Sequence, residues 1–276
     1  MFDMLSLGLI SVGVGFLGAL TGLGGASILV PLLVFLGIPV KEAIASSMVA
    51  IIATSSGSAS SFVGEHITNI RVAMYLEMFT IMGAIAGATI TTIIHPTFLY
   101  FFFAAFLLTS FLKFRESLGH DYVPVIRQDR ISAWLGLRGN YYDEAARKTV
   151  DYKVTNAIPG GLGMLVAGLA AGMLGIGAGA FKVTVHEYIL KMPPKVSSTT
   201  SNFVIGMTAL AGVSVYLFSG LLNLTLMAPM AIGTTIGVIA GGRVLNRLSN
   251  RTIRILFFII VTILIVQMLY RGIMAL

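Results

Sequence analysis

Cysteine is absent from this 276-residue chain, and charged residues make up only 11% of it. Without cysteine there are no disulfides, no thiolate metal sites and no thiol redox relays. The four histidines are scattered, and no two of them have the i, i+4 spacing that suits a metal site on a helix. So small a share of charge argues against a soluble domain, which needs a polar surface around its core. We therefore expect a membrane protein without a metal or a cofactor.

Long hydrophobic runs are abundant, since 57% of the residues are hydrophobic. The runs are continuously apolar rather than alternating, which predicts α-helices and excludes a transmembrane β-barrel. A helix needs roughly 20 residues to cross a bilayer, so the two shortest runs are expected to form re-entrant or broken helices. The sequence thus predicts an all-α polytopic membrane protein. Its apolar runs are 4–20, 24–38, 43–63, 72–94, 97–112, 157–173, 178–190, 196–218, 224–245 and 252–270.

The basic residues, which give a formal net charge of +7, gather on one side of the predicted membrane. If the hydrophilic stretch in the middle of the chain is cytoplasmic, only Lys41 and Arg271 lie outside and Lys182 lies within the membrane. This pattern predicts a bacterial or archaeal cytoplasmic (inner) membrane, with a cytoplasmic central loop and both termini outside. Because topology explains the charge, the expected partner is the lipid bilayer and not nucleic acid. The cytoplasmic basic residues are then Arg71, Lys113, Arg115, Arg127, Arg130, Arg138, Arg147, Lys148, Lys153, Lys191, Lys195, Arg243, Arg247, Arg251 and Arg254.

The two halves of the chain are related in sequence. An offset of 153 residues, which becomes 154 after one inserted residue, pairs Gly22 with Gly175 and Asn69 with Asn223. Such collinear matches indicate a duplication. Each half has an odd number of membrane elements, so the second half is expected to be an inverted-topology repeat. The predicted organisation is an N-terminal membrane repeat at 1–112, a cytoplasmic linker or cap at 113–154 and an inverted C-terminal membrane repeat at 155–276.

Two features stand out in the linker and the repeats. Tyr141 and Tyr142 face residues 150–152 across a charged turn, which favours a small β-hairpin. Trp134, Leu135 and Leu137, beside Arg130 and Arg138, suggest an interfacial patch. A plain linker or cap and a regulatory or docking role are both open for this segment.

The glycine-rich runs 83–87 and 237–242 are expected to pack helices closely.

Glycine motifs interrupt the helices at equivalent places in the two halves. The first contains Thr21, Gly22, Gly24 and Gly25, and the second contains Gly175 and Gly177. Glycine allows the backbone to leave helical geometry and approach a ligand, and a restarting helix offers free N–H groups to an anion. Irregular backbone at membrane depth is tolerated only where protein or water satisfies it. We therefore expect a shared central substrate site at these breaks; close packing is the alternative.

Small polar clusters occur near the start of the third helix of each half. They comprise Ser46 and Ser47 in the first half and Thr200, Ser201 and Asn202 in the second. Hydroxyl and amide groups bind an oxyanion reversibly without a fixed charge, so these residues are candidates for substrate binding. The alternative is that the hydroxyls bond to carbonyls of their own helices.

Lys182 is a cation inside an apolar run, and an intramembrane charge indicates a functional site. The alternative is that its side chain snorkels to the cytoplasmic surface. His186 and Glu187 follow on the same helix, and Glu77 is a further buried acid candidate; these three could couple transport to protons. A plain i, i+4 pair of Glu187 with Lys191 is the alternative for that acid. The equivalent first-half positions are Leu29, Leu33 and Val34, so recognition of charge is expected mainly in the second half.

The motifs resemble those of the TauE/SafE sulfite exporter family of membrane permeases. They are Gly-Leu-Gly-Gly at 22–25, Ala-Ser-Ser at 45–47, Gly-Ile-Gly-Ala-Gly at 175–179 and Thr-Ser-Asn-Phe at 200–203. The resemblance covers nearly the whole chain and implies a permease for sulfur-containing anions such as sulfite or organosulfonates. Family members often have a third glycine where this chain has Ala178.

The expected function is therefore secondary transport of a small anion by alternating access around the central site. An anion channel and an intramembrane enzyme are the alternatives. No residue has the sequence context of a catalytic nucleophile, so we expect no enzyme and no catalytic residues. A homodimer is compatible with this reading. The sequence leaves open the particular anion, the direction of transport, the coupling ion and whether the short helices span or re-enter.

Overall fold

The computed structural model describes residues 4–21, 26–64, 68–116, 128–143, 148–245 and 250–275. These residues form helices and one small sheet. The first half contains α1 (Met4–Thr21), α2 (Ala26–Phe35), α3 (Val40–Gly64), α4 (Ile70–Ile93) and α5 (Pro96–Glu116). The central segment contains α6 (Arg130–Trp134), β1 (Arg138–Asp143) and β2 (Lys148–Lys153). The second half contains α7 (Ala157–Leu174), α8 (Gly179–Thr184), a π-helical turn (Val185–Ile189), α9 (Pro194–Phe218), α10 (Leu224–Leu245) and α11 (Asn250–Met274).

The helices have the length and composition of membrane spans, which confirms the predicted fold class. Within the described residues, α4, α7, α9 and α10 provide four stretches long and apolar enough to cross a bilayer. Helix α4 exposes Met74, Met78 and Met82, whereas its inward face carries small and polar residues such as Thr80 and Gly83. Large apolar groups on the outside suit contact with lipid, and small residues inside suit helix packing in a membrane.

One helix boundary fits the predicted duplication. Helix α3 starts at Val40 and α9 starts at Pro194, which is the offset of 154 residues found in the sequence. The described part of α2 has 10 residues. The prediction of a short, broken element after a glycine motif is confirmed for the second half, where α8 has six residues before the π-helical turn and follows three residues with positive φ angles, Gly175, Gly177 and Ala178.

Glycine residues allow close backbone contacts between helices of the two halves. A Cβ atom on Gly168 of α7 would lie 2.2 Å from the carbonyl oxygen of Thr80 on α4. The counterpart Gly15 of α1 has the same relation to α10, with 2.3 Å to the carbonyl oxygen of Thr234. Gly83 meets Leu165 in the same way, at 2.1 Å. Only glycine allows backbones this close, so the predicted packing role of residues 83–87 is confirmed for Gly83.

Helices α3 and α9 cross at the centre and run antiparallel. Met48 contacts Gly212, whereas Ser55, farther along α3, contacts Gly206 and the backbone of Asn202. Helices α3 and α9 are the counterparts in the predicted duplication, and antiparallel packing of such a pair is what the predicted inverted repeat requires. The orientation of each half relative to a bilayer stays a prediction.

The central segment forms the predicted β-hairpin, with Tyr141 opposite Val150. It docks on the start of α4, where the Asn69 side-chain amide donates a hydrogen bond to the Tyr152 hydroxyl at 2.7 Å. Burial raises the pKa of Tyr152 to about 12, so this hydroxyl stays neutral at physiological pH. Trp134 is 84% exposed, as an interfacial patch requires, but the inclusion of Leu137 in that patch is wrong. Leu137 is 1% exposed because it packs with Val72 and other residues of the hairpin core.

Candidate functional site

The second helix break, residues 175–178, lies at the centre of the fold. Gly175 and Gly177 have φ angles of +65° and +69°, in the left-handed region that favours glycine. A Cβ atom on Gly175 would also lie 2.6 Å from the carbonyl oxygen of Ile44 on α3. Gly177 sits against Ile205 of α9 and Ile51 of α3. The break is thus held between the two crossing helices, where the sequence predicts the substrate site.

The first break falls outside the described residues at Gly22, Gly24 and Gly25. Thr21 ends α1, and its side chain also falls outside the described part of the chain. Helix α2 starts at Ala26 and contributes Leu29, Leu33 and Val34 to the apolar core. At these positions, as predicted, the first half is apolar where the second half has polar side chains.

The adjacent serines Ser46 and Ser47 are both fully buried, but they differ in their bonding. The Ser47 Oγ lies 2.9 Å from the Gly175 carbonyl oxygen and 2.8 Å from the Ile44 carbonyl oxygen, so this hydroxyl ties the second break to α3. The Ser46 Oγ has no hydrogen-bond partner among the described residues. A buried hydroxyl without a partner is unfavourable and marks a position where a ligand can bind. Of the two predicted serines, Ser46 therefore has the free binding capacity.

The second polar cluster links α9 to its neighbours. The Thr200 Oγ1 accepts a hydrogen bond from the Asn69 backbone N–H at 3.3 Å, at the start of α4. The Ser201 hydroxyl donates to the Gly179 carbonyl oxygen at 3.4 Å, at the start of α8. The Asn202 backbone carbonyl accepts a hydrogen bond from the Ser55 hydroxyl. These predicted residues thus join α9 to three different elements around the break.

Lys182 is completely buried, and its ammonium group donates a hydrogen bond to the Thr208 hydroxyl at 2.7 Å. The same hydroxyl lies 3.2 Å from the Oε1 atom of Glu77 and 2.6 Å from the Val204 carbonyl oxygen, so its single proton has two acceptors. Lys182 and Glu77 also interact electrostatically. The snorkelling alternative is therefore wrong, since the side chain points into the protein toward a carboxylate.

Thr208 was not among the predicted site residues, although two signals point to it. It lies seven residues after Ser201, on the same face of α9, and it pairs with Thr54 in the alignment of the halves. Its importance comes from a tertiary contact between α4, α8 and α9 that no local pattern encodes. Glu77 belongs to the first half, so the charged pair uses both halves and not the second alone.

Two polar atoms, one in the Lys182–Glu77 pair and one in a neighbouring residue, lack hydrogen-bond partners within the described part of the chain. One is the Oε2 atom of Glu77, whose residue is only 3% exposed, and the other is the Nε2 atom of the fully buried His186. The Nδ1 atom of His186 lies 3.3 Å from the Ser197 carbonyl oxygen. Because a carbonyl only accepts, Nδ1 carries a proton, and Nε2 of the neutral ring presents a lone pair. The site therefore combines a cationic donor with two free acceptor atoms.

His186 and Glu187 lie in the π-helical turn after α8, in which the Leu190 N–H bonds the Val185 carbonyl at 3.0 Å. Such turns are frequent at functional sites. Lys191 has a φ angle of +57° and is exposed, so it no longer continues the helix. The regular i, i+4 geometry that a pair between Glu187 and Lys191 assumes is therefore interrupted, and the Glu187 carboxylate interacts with the side chain of Ser197.

Two clefts open at counterpart loops on the surface. One has a volume of about 200 Å³ and lies between the start of α4 and the hairpin, lined by Thr68, Asn69 and Arg138 among others. The other, of about 310 Å³, lies between Glu42 and residues 220–224. Neither cleft is lined by Lys182 or Glu77. Lys182 and Glu77 are both buried, so the charged pair is enclosed within the helices.

Comparison with known proteins identifies relatives across nearly the whole chain. Probable membrane transporter protein YunE of Bacillus subtilis (strain 168) is 24% identical over 276 residues, covering 97% of this chain and 96% of the relative. Probable membrane transporter protein YdhB of the same organism is 24% identical over 260 residues, covering 94% of this chain and 96% of the relative. No solved structure matches the chain at a significant level.

The sequence model described as sulfite exporter TauE/SafE matches residues 7–268, which include both membrane halves and the central segment. The resemblance read from the glycine and hydroxyl motifs is therefore confirmed. Together with its helices and its relatives, this match makes the chain a multi-pass membrane protein of a transporter class. The chain belongs to the sulfite exporter TauE/SafE family.

Proposed function

We propose that this membrane transporter is a secondary carrier of small sulfur-containing anions, such as sulfite or organosulfonates, in a bacterial or archaeal cytoplasmic membrane. The observation that carries the proposal is the fully buried ammonium of Lys182 beside the second helix break. A buried charge in a membrane protein is costly and persists where function needs it. A cation with hydroxyl neighbours is a binding site for an oxyanion.

The binding site would be built from both halves around the crossing of α3 and α9. Lys182 supplies charge, the free hydroxyl of Ser46 supplies a hydrogen-bond donor, and the backbone at Gly175 and Gly177 allows close approach. Ser47, Thr200, Ser201 and Asn202 hold the surrounding elements in place. From the internal repeat in the sequence, we also propose that Thr21, Gly22, Gly24 and Gly25 take part in substrate binding.

Alternating access would expose this site to one side of the membrane at a time. The antiparallel crossing of α3 and α9 and the two clefts at counterpart loops support such a mechanism, since related halves can exchange their arrangements. The cytoplasmic side would be the one with the hairpin, and Arg138 beside Asn69 would attract anions to its cleft.

The first experiment measures binding. Purified protein would be tested for thermal stabilisation by sulfite, thiosulfate, sulfoacetate, sulfate and phosphate. We expect at least one sulfur-containing anion to raise the melting temperature, because a ligand that binds only the folded state stabilises it. If none of these anions stabilises the protein, the anion proposal is wrong.

The second experiment measures transport in proteoliposomes. We expect saturable uptake of radiolabelled sulfite and faster uptake when the vesicles contain unlabelled sulfite, as a carrier requires. An anion channel would give a conductance without this exchange. Lys182→Met should reduce uptake more than tenfold, whereas the control Lys191→Met, at an exposed position, should leave uptake unchanged.

A further inference from the structure

We propose that the transported anion and the Glu77 carboxylate compete for Lys182, so that each singly charged anion is carried together with one proton bound to Glu77. The inference rests on the proposed function, because it requires an anion at Lys182. It goes beyond that function because it names the proton as the coupling ion and one proton per anion as the ratio.

Geometry provides the first argument. Lys182 and Glu77 both contact the Thr208 hydroxyl, at 2.7 Å and 3.2 Å. Lys182 and Thr208 are 0% exposed and Glu77 is 3% exposed, so neither charge has access to bulk water. In the empty site, the carboxylate is therefore the charge that compensates the ammonium.

Charge balance provides the second argument. The empty site carries one positive and one negative charge and is neutral. An anion that binds the ammonium adds a second negative charge in a buried place, and leaving a buried charge uncompensated is strongly unfavourable. One proton on Glu77 restores neutrality. The cycle then moves one anion and one proton together, without net charge.

The position of the proton follows from the contacts of Glu77. Its Oε1 atom is near the Thr208 hydroxyl, whereas its Oε2 atom is buried without a partner among the described residues. An O–H on Oε2 therefore disturbs no existing hydrogen bond. Upon protonation, the carboxyl loses its attraction for Lys182, and the ammonium becomes available to the anion.

None of the other groups near Glu77 replaces it as the proton acceptor. On its own helix it has Thr80, and the packed helices contribute Thr208 from α9 and Lys182 from α8. Helix α7 also packs against α4 and contains no ionisable residue. His186 interacts with Lys182, and its Nδ1 already donates to Ser197, so a proton at Nε2 would place a second cation beside the ammonium. Repulsion between the two cations disfavours that state.

The test measures protons taken up on binding. Methanesulfonate is used as the probe because its single charge does not titrate near neutral pH. Calorimetric titrations in two buffers of different ionisation enthalpy give the protons bound per anion. We expect about one proton for the wild-type protein and an affinity that falls about tenfold per pH unit above neutrality.

Glu77→Gln mimics the protonated carboxyl, so we expect this variant to bind methanesulfonate without proton uptake and with no pH dependence. The control Asp151→Asn changes an exposed carboxylate of the hairpin and should behave as the wild type. In proteoliposomes, an inward proton gradient should drive accumulation in the wild type but not in Glu77→Gln, which should still exchange anions.

The outcomes separate the two proposals. If the wild type binds no anion, the proposed function fails. If the wild type binds methanesulfonate without proton uptake, or if Glu77→Gln retains the uptake, the coupling is wrong while anion binding stands. If Glu77→Gln does not fold, the double variant Glu77→Gln/Lys182→Met, which removes both charges, should fold and lose binding; failure of this neutral variant to fold would also overturn the compensating role of the pair.

Discussion

The hydroxyl oxygen of Ser47 lies 2.9 Å from the carbonyl oxygen of Gly175, across the contact between α3 and the second helix break. Gly175 directly follows the last residue of α7 and has a φ angle of +65°, so the regular helix does not continue through it. The bond gives a buried carbonyl a partner where regular helical bonding stops. The neighbouring Ser46 hydroxyl has no partner within the described residues, so adjacent serines have different tasks.

The first prediction tests the structural role of the Ser47 hydroxyl separately from the binding role of the Ser46 hydroxyl. Ser47→Ala removes the bond to the break and should lower the free energy of unfolding by about 1 kcal/mol, the usual net value of a hydrogen bond. Thermal unfolding in detergent, compared with the wild type, measures this loss. An unchanged melting temperature would show that the bond does not hold the break.

Ser46→Ala is the matched control at the next residue. Because the Ser46 hydroxyl makes no bond to a described residue, its removal should leave the melting temperature unchanged. We expect it instead to raise the KM for transport by about tenfold, since a hydrogen bond to an anion is worth about 1.5 kcal/mol or more. If KM stays at the wild-type value, Ser46 does not bind the substrate.

The second prediction concerns the contact between α4 and α7. Gly168→Ala places a Cβ atom 2.2 Å from the Thr80 carbonyl oxygen, so the helices must move apart. Overpacking of this kind costs roughly 1–3 kcal/mol. Thermal unfolding should show the loss. The control Gly13→Ala adds a Cβ on α1 where no atom lies within 4 Å, and it should not lower the melting temperature. An equal loss in both variants would show that the close contact with Thr80 is not the cause.

The third prediction concerns Ala178, which has a φ angle of +49° in the break. A residue with a Cβ atom in the left-handed region costs roughly 1–2 kcal/mol relative to glycine. Ala178→Gly should therefore raise the melting temperature. Ala171→Gly, in the buried interior of α7, is the opposite control and should lower it, because glycine weakens a helix by about 1 kcal/mol. Destabilisation by Ala178→Gly would contradict the strained geometry.

Much of the fold could be predicted from the sequence because apolar runs and glycine breaks are local signals. The run 224–245 coincides with α10, and the short run 24–38 contains the 10-residue α2. The hairpin was indicated by aromatic and β-branched residues around a charged turn, and its pairing of Tyr141 with Val150 is as predicted.

The candidate site could be predicted only in part. Lys182 was evident because it interrupts an apolar run, but its partner Glu77 lies 105 positions earlier, and the two meet only through the packing of α4 on α9. For Leu137 the sequence predicts exposure that the structure does not have. Its neighbours in sequence suggest a surface patch, whereas packing against the hairpin core buries it. Such contacts between distant residues depend on tertiary structure and leave no periodic pattern in the chain.

The fourth prediction concerns Asp129, whose hydrogen bonds hold the central segment between the two halves in place. Its carboxylate accepts hydrogen bonds from the backbone N–H groups of Asn156, at 2.8 Å, and Ser132, at 3.2 Å, and from the Thr155 hydroxyl, at 3.2 Å. Burial alone would raise the pKa of this carboxyl, but these hydrogen bonds outweigh burial and hold the pKa below its ordinary value of 3.8. A depressed pKa means that the folded state favours the charged form.

The resulting stabilisation is fully present above the ordinary carboxyl pKa and is lost as the pH falls through the lower pKa of the folded state. Asp129→Asn should therefore be less stable than the wild type at neutral pH, and the difference should shrink as the solution is made acidic below about pH 4. Thermal unfolding or limited proteolysis of the segment across this range measures the difference. Asp151→Asn, on the exposed strand β2, should not show this pH-dependent difference. A deficit of Asp129→Asn that is the same at every pH would mean that the charge of Asp129 does not hold the segment in place.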